Sequence, residues 1–341
     1  MKPYFLLSKK KLLDQFSQLE SRRFSVSYSV KTNPVVAHVL EQYTDCSFSI
    51  HTVHELKHIK DLSRVWFLGH ALTEEILDEL FKRHVSRFVI DNETDLDVLL
   101  KYIEKHEARI SLLLRMKLKE NTIFTGKYFV FGMDAAVTNR RAQELANHPL
   151  IDRLGIHFHR KTQNVGEWNL IQELDDSLDE KTLQSISLLN IGGGFPAKYK
   201  NISDNAISAV FERVCQVQSW AAAHDITLMV EPGRYLAAPC IELHTHVQSV
   251  LDRDIVINAS VYNCAMDTII VPIKLLVKGE KDGGKQFTIK GCTPCSLDIF
   301  RYDVRIERPR VGDEIVLLNA GAYTYSTTFC DLEPVETKIT D

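Results

Sequence analysis

Eight short runs of apolar and β-branched residues, at 25–30, 47–50, 65–68, 87–90, 109–115, 153–159, 187–190 and 227–230, recur with helix-length spacers between them. The spacers carry helical periodicity: Val36, Val39, Leu40 and Tyr43 share one helical face, as do Ile76, Leu77, Leu80 and Phe81, and Leu96, Leu99, Leu100 and Ile103. An apolar run followed by an amphipathic helix reads as one strand of a parallel sheet covered on both faces. Eight in succession predict an α/β fold, a (β/α)8 TIM barrel, although an open doubly wound sheet gives a similar pattern.

After about Tyr235 the texture changes. Strand-like segments at 241–250, 255–261, 269–277, 286–289 and 314–318 follow one another without long helical spacers. Turn signals separate them, among them Lys281-Asp282-Gly283-Gly284 and Pro309-Arg310-Val311-Gly312-Asp313. The expectation is a barrel over residues 20–235, with 1–19 and 236–341 forming an antiparallel β domain, a barrel or sandwich.

Composition narrows the function classes. With 41 Lys+Arg against 45 Asp+Glu in 341 residues, the net charge of −4 gives no basic face for nucleic acid. No apolar run approaches the roughly 18 residues of a membrane span. The apolar stretch Tyr4–Leu7 precedes Lys9-Lys10-Lys11, the reverse of a secretory leader. Seven cysteines, an odd and scattered set, do not make a disulfide framework, and Cys46, Cys215 and Cys240 read as small buried apolar residues. The chain reads as a soluble protein of a reducing cytoplasm.

Barrel enzymes carry their chemistry at the C-terminal ends of the strands. The first run ends in Tyr28-Ser29-Val30-Lys31-Thr32-Asn33-Pro34. An amine in apolar surroundings can lose its proton and attack a carbonyl, although a lone lysine opening a helix is more often simply solvated. The fifth run ends in Leu114-Arg115 and the sixth in Gly155-Ile156-His157-Phe158-His159. Two histidines at i, i+2 admit a metal, but no Cys or carboxylate stands at ligand spacing nearby, so a ring that packs or stacks is expected. The seventh ends in Asn190-Ile191-Gly192-Gly193-Gly194-Phe195-Pro196, whose bare amides suit a phosphate. The eighth ends in Glu231-Pro232-Gly233-Arg234, a carboxylate beside a backbone-plus-guanidinium anion site.

One cofactor needs all of these, pyridoxal 5′-phosphate (PLP). Its aldehyde needs a primary amine, its phosphate needs glycine amides, and its pyridine nitrogen needs an acidic partner. Lys31, Gly192, Gly193, Gly194 and Glu231 supply them from three loops of one expected barrel, with His159 as a flat side chain for the ring face.

These motifs resemble the fold-type III PLP enzymes, the group of alanine racemase and of ornithine and diaminopimelate decarboxylases, over nearly the whole chain. The resemblance implies that Lys31 bonds to PLP, His159 stacks on it, and Arg115 lies close to the ring. It also implies that Gly192–Gly194, Gly233 and Arg234 hold the phosphate while Glu231 meets the ring nitrogen. The C-terminal part is most similar to carboxynorspermidine decarboxylases. Met266-Asp267-Thr268-Ile269-Ile270-Val271-Pro272 resembles their Pro-Asp-x-Leu-Glu-x-Pro, and Gly291-Cys292-Thr293-Pro294-Cys295 their Gly-Gly-x-(Ser/Thr)-Cys. Ala322-Tyr323-Thr324 and Thr327-Thr328-Phe329 resemble their His-Tyr-Thr and Thr-Thr-Phe. By that likeness Tyr323 reaches the phosphate, and Cys295 acts as general acid across the interface of a homodimer with composite sites.

Two departures stand out. Cys295 and Asp298 are three residues apart where the family has four, which a one-residue deletion accommodates, and Ile270 replaces an acid that would pair with a substrate ammonium. Asp267 and Asp298 remain as candidate ammonium partners. The resemblance implies a PLP-dependent decarboxylase of amino-acid or polyamine metabolism, with a substrate free or tethered to a carrier. A racemase and a non-catalytic relative of the antizyme-inhibitor kind compete with it. Cys292 and Cys295 form a single C-x-x-C with no second pair, so no metal is expected.

Overall fold

The computed structural model describes residues 1–118, 131–166, 168–271 and 273–341; Pro272, quoted above, lies outside them. Strand β1 (Tyr4–Ser8) opens the chain and belongs to a second sheet. The next eight strands close a parallel barrel: β2 (Ser25–Ser29), β3 (Ser47–Ile50), β4 (Val65–Gly69), β5 (Arg87–Ile90), β6 (Ile110–Arg115), β7 (Ile151–His157), β8 (Leu188–Asn190) and β9 (Thr227–Val230). The registers Ser25↔Met229 and Val26↔Val230 join the last strand to the first and decide against an open sheet.

Alternation along the strands explains closure. Trp66, Val89, Leu113, Leu188 and Met229 form one buried cluster, while their neighbours Phe67, Phe88, Leu112 and Leu189 join the larger core. Each side chain has an apolar destination on whichever face it falls. Strand β7 stops at His157, so His159 stands in the loop beyond it rather than on the strand.

The second sheet is mixed rather than antiparallel throughout. It contains β10 (Ile241–Leu251), β11 (Asp254–Ile257), β12 (Leu276–Val277), β13 (Gln286–Lys290), β14 (Ile299–Arg305), β15 (Glu314–Leu318) and β16 (Glu336–Thr340), with β1. β11 pairs with β13, and β1 with β16, in parallel. Two expected strands are shorter than their apolar runs. Val261–Cys264 is a helical turn capped by Ser260, and Asp267–Ile270 is another, so only Leu276–Val277 of 269–277 enters the sheet. Tertiary anchoring overrides β-branched composition there. Among the described residues no helix is long and apolar enough to cross a membrane.

Candidate active site

A cavity of about 470 Å³ opens at the C-terminal mouth of the barrel, and Lys31, Arg115, His159, Glu231, Arg234 and Tyr323 all reach it. Lys31 sits on a one-turn helix, Val30–Thr32, directly after β2. Asn33 ends that turn and caps the next helix, Pro34–Tyr43, its Oδ1 accepting from the Val35 amide at 3.0 Å. Its Nδ2 donates to the Gly321 carbonyl at 2.9 Å and to Thr324 Oγ1 at 3.2 Å, while the Tyr323 amide donates to the Thr32 carbonyl at 2.8 Å. The lysine loop is therefore stitched to the C-terminal segment. Enclosure by the cavity walls lowers the Lys31 amine pKa; Glu231 and Glu55 oppose this and Arg115 adds to it.

Glu231 is buried just beyond β9. Its Oε1 accepts from Ser49 Oγ at 2.8 Å and from Asn190 Nδ2 at 2.9 Å. Ser27 and Ser49 hydroxyls lie 2.7 Å apart, so the proton order runs Ser27 to Ser49 to Glu231. Asn190 Oδ1 accepts the Gly192 amide at 2.9 Å, linking the acid to the glycine loop. His157 Nε2 lies 3.6 Å from Glu231 Oε2, too long for a hydrogen bond. Burial works to raise the Glu231 pKa, but His157 and the Asn190 donor outweigh it and hold the carboxyl well below its ordinary range. Burial holds His157 low, against the pull of Glu231.

His159 faces the open cavity. The Gly193 amide donates to its Nδ1 at 3.2 Å, which fixes the neutral Nε2–H tautomer. The surrounding protein, with Arg115, holds this ring below the usual imidazole range. Gly192 (φ +66°) and Gly194 (φ +95°) take left-handed conformations, and an added Cβ would meet the Phe158 carbonyl at 2.4 Å or that of Lys161 at 2.7 Å. Only glycine fits either position.

Three residues expected at the site are already engaged. Arg234 lines the cavity with its guanidinium held by both oxygens of Asp267, while Tyr199 and Thr162 take further N–H groups. Asp267, buried against Arg234, is correspondingly not available to a substrate ammonium. Asp298 is buried and accepts from Ser260 Oγ, the Val261 amide, and the Thr293 amide and hydroxyl, so it fixes a loop instead. Gly291 is required there, since its Cβ would lie 2.0 Å from Asp298 Oδ1. Cys295 does not line the cavity of its own chain; its thiol lies 3.0 Å from the Tyr262 hydroxyl, and that hydrogen bond lowers the thiol pKa. Ser49, and the grip of Asn190 on Glu231, carry no sequence signal, because a serine within an apolar run is unremarked until the barrel closes.

This chain belongs to the pyridoxal-dependent decarboxylase family: residues 9–238 match the family's pyridoxal binding domain. It is 24% identical over 336 residues to a lysine/ornithine decarboxylase of Selenomonas ruminantium, covering 91% of this chain and 81% of that protein. A solved lysine decarboxylase of the same organism shares its fold at a TM-score of 0.77 and 19% identity, over 99% of this chain and 92% of that one. The arginine decarboxylase of Paramecium bursaria Chlorella virus does so at 0.80 and 19%, over 100% and 96%. The protein is thus a PLP-dependent carboxy-lyase. Its residues fit the cofactor: the glycine cradle leaves no room for a Cβ, and Thr32 Oγ1 and both nitrogens of His157 are buried without hydrogen-bond partners among the described residues.

Proposed function

We propose that this enzyme removes the α-carboxylate of an amino acid, free or carrier-borne, or of a carboxylated polyamine resembling carboxynorspermidine or carboxyspermidine. The observation that carries this reading is the meeting, in one cavity, of the Lys31 amine, the glycine loop and the buried Glu231 carboxylate held by Ser49 and Asn190. PLP, when bound, supplies an electron sink for the pair left behind by CO2. Lys31 holds the cofactor and moves protons at its Nζ. Glu231 keeps a proton at the ring nitrogen, and its hydrogen-bonded placement requires no reorganisation. His159 would cover a ring face, the amides of Gly193 and Gly194 with Tyr323 would hold the phosphate, and Arg115 would stand close to the ring.

We further place the proton donor on a second copy of the chain, in a homodimer with composite sites. Cys295 is not among the residues lining its own chain's cavity, and the exposed Ile270, Leu297, Tyr325 and Phe329 offer apolar surface in the same domain. With Asp267 and Asp298 both engaged and Ile270 unable to pair, neither carboxylate that the resemblance nominated is left for a distal ammonium. Substrates without one therefore belong in the screen beside ornithine, lysine, arginine, diaminopimelate and the carboxylated polyamines.

Lys31→Ala tests the reading: it should abolish CO2 release and the visible absorbance of bound cofactor, and unchanged spectrum and turnover would overturn it. Mixing Lys31→Ala with Cys295→Ala subunits should restore activity; none in a verified heterodimer would overturn the composite site.

A further inference from the structure

His157 ends β7 on the wall of the cavity, 1% exposed, with both ring nitrogens buried and unpartnered among the described residues. Among the described residues no other side chain leaves two such nitrogens. A buried polar atom without a partner costs about 1–3 kcal/mol, so one that persists calls for a function. Nε2 lies 3.6 Å from Glu231 Oε2. Oε1 of that carboxylate already has two donors, Ser49 and Asn190, whereas Oε2 has none among the described residues. A movement of less than about 1 Å would bring Nε2–H into hydrogen-bond range.

We propose that His157 is a positioning residue for Glu231, its Nε2–H donating to Oε2 as the third neutral donor around the carboxylate and keeping the proton on the cofactor's ring nitrogen rather than on the acid. The inference rests on the placement of Glu231 against that nitrogen under the proposed function. Neutrality is the point of the arrangement. A cation touching Glu231 would cancel the charge that the protonated ring nitrogen needs, while neutral donors fix the carboxylate and leave its charge in place. The groups around His157 favour the neutral ring: burial and the cations Arg115 and Lys31 oppose its protonation, and Glu231 alone favours it. His159, on the loop after the same strand, is itself held neutral by its Gly193 contact.

The test uses the full-length apoprotein and 4′-deoxypyridoxine 5′-phosphate, a PLP analogue without the aldehyde, which cannot bond to Lys31. Titration yields its dissociation constant, and absorbance against pH yields the point where the bound ring nitrogen loses its proton. His157→Leu and His157→Ser should weaken binding about tenfold and lower that pH by about one unit. His157→Gln, whose amide can reach Oε2, should recover most of both. Folded Leu and Ser variants that bind and titrate like wild type would overturn the proposal. NMR shifts of the His157 ring nitrogens in the wild-type complex give a test that needs no substitution. They should report Nε2–H, and an Nδ1–H tautomer or an imidazolium would overturn the proposal. Wild-type protein that fails to bind the analogue would instead overturn the placement of the cofactor.

Discussion

Asp267 clasps the Arg234 guanidinium with both carboxylate oxygens, one on each terminal nitrogen, and both side chains are buried. Two residues whose motifs suggested an anion binder and an ammonium partner satisfy each other instead. Asp267→Asn should therefore act on stability: losing one member of a buried pair costs about 3–5 kcal/mol, read as a lower denaturant midpoint. A variant of normal stability with only a raised KM would return Asp267 to the substrate.

Gly233 is held by contact rather than by conformation. A Cβ there would stand 2.2 Å from Thr32 Oγ1 and 3.2 Å or more from its next neighbours. Gly233→Ala should destabilise by about 1–3 kcal/mol, and adding Thr32→Ala, which removes a hydroxyl with no hydrogen-bond partner, should return most of it. Thermal unfolding of the two variants checks this. A double variant as weak as the single one would locate the clash elsewhere.

The Lys31 amine should react at lower pH than a surface lysine. Glu231 raises its pKa and Arg115 lowers it, so Glu231→Gln should move its titration further down and Arg115→Gln should move it up. Acylation rate against pH, resolved by residue in apoprotein, measures both. Movements of the opposite sign would mean that Lys31 points away from these groups.

Burial brings His51 down to about 3 from an ordinary 6.5. The unfolded ring therefore takes up a proton that the folded ring refuses, and stability must fall as pH drops from 6.5 toward 3. One such ring contributes at most about 1.4 kcal/mol per pH unit, and less here because part of His51 meets solvent. His157 acts in the same direction. His51→Asn should flatten the acid limb of the stability curve, and an unchanged limb would show that the folded ring charges normally.

The barrel was legible because its strands announce themselves locally. Phe48, Phe67, Phe88 and Leu112 are buried in runs that need no knowledge of their partners, and the chemistry follows each run directly. The second sheet was less legible because its pairings are remote in sequence. Tyr4 lies beside Glu336, and Ile299–Arg305 reads as charged until β13 covers one face. Ile269 and Ile270 look like strand residues, but Asp267 is drawn to Arg234 and the chain turns helical around it. Within the site, Lys31, the glycine triplet and Glu231 could be read from motifs. The donors that hold Glu231, Ser49 and Asn190, come from two other strands, so nothing short of the closed barrel reveals them.

The stitch from Asn33 to Gly321 and Thr324 sets an order of events in synthesis. A chain emerging from the ribosome delivers its reactive lysine almost at once, yet the far wall of the pocket, including Tyr323, arrives nearly 300 residues later. Until then the Asn33 side-chain amide and the Thr32 carbonyl lack the partners they have in the folded protein, and the pocket stands open on the side that Tyr323 will wall.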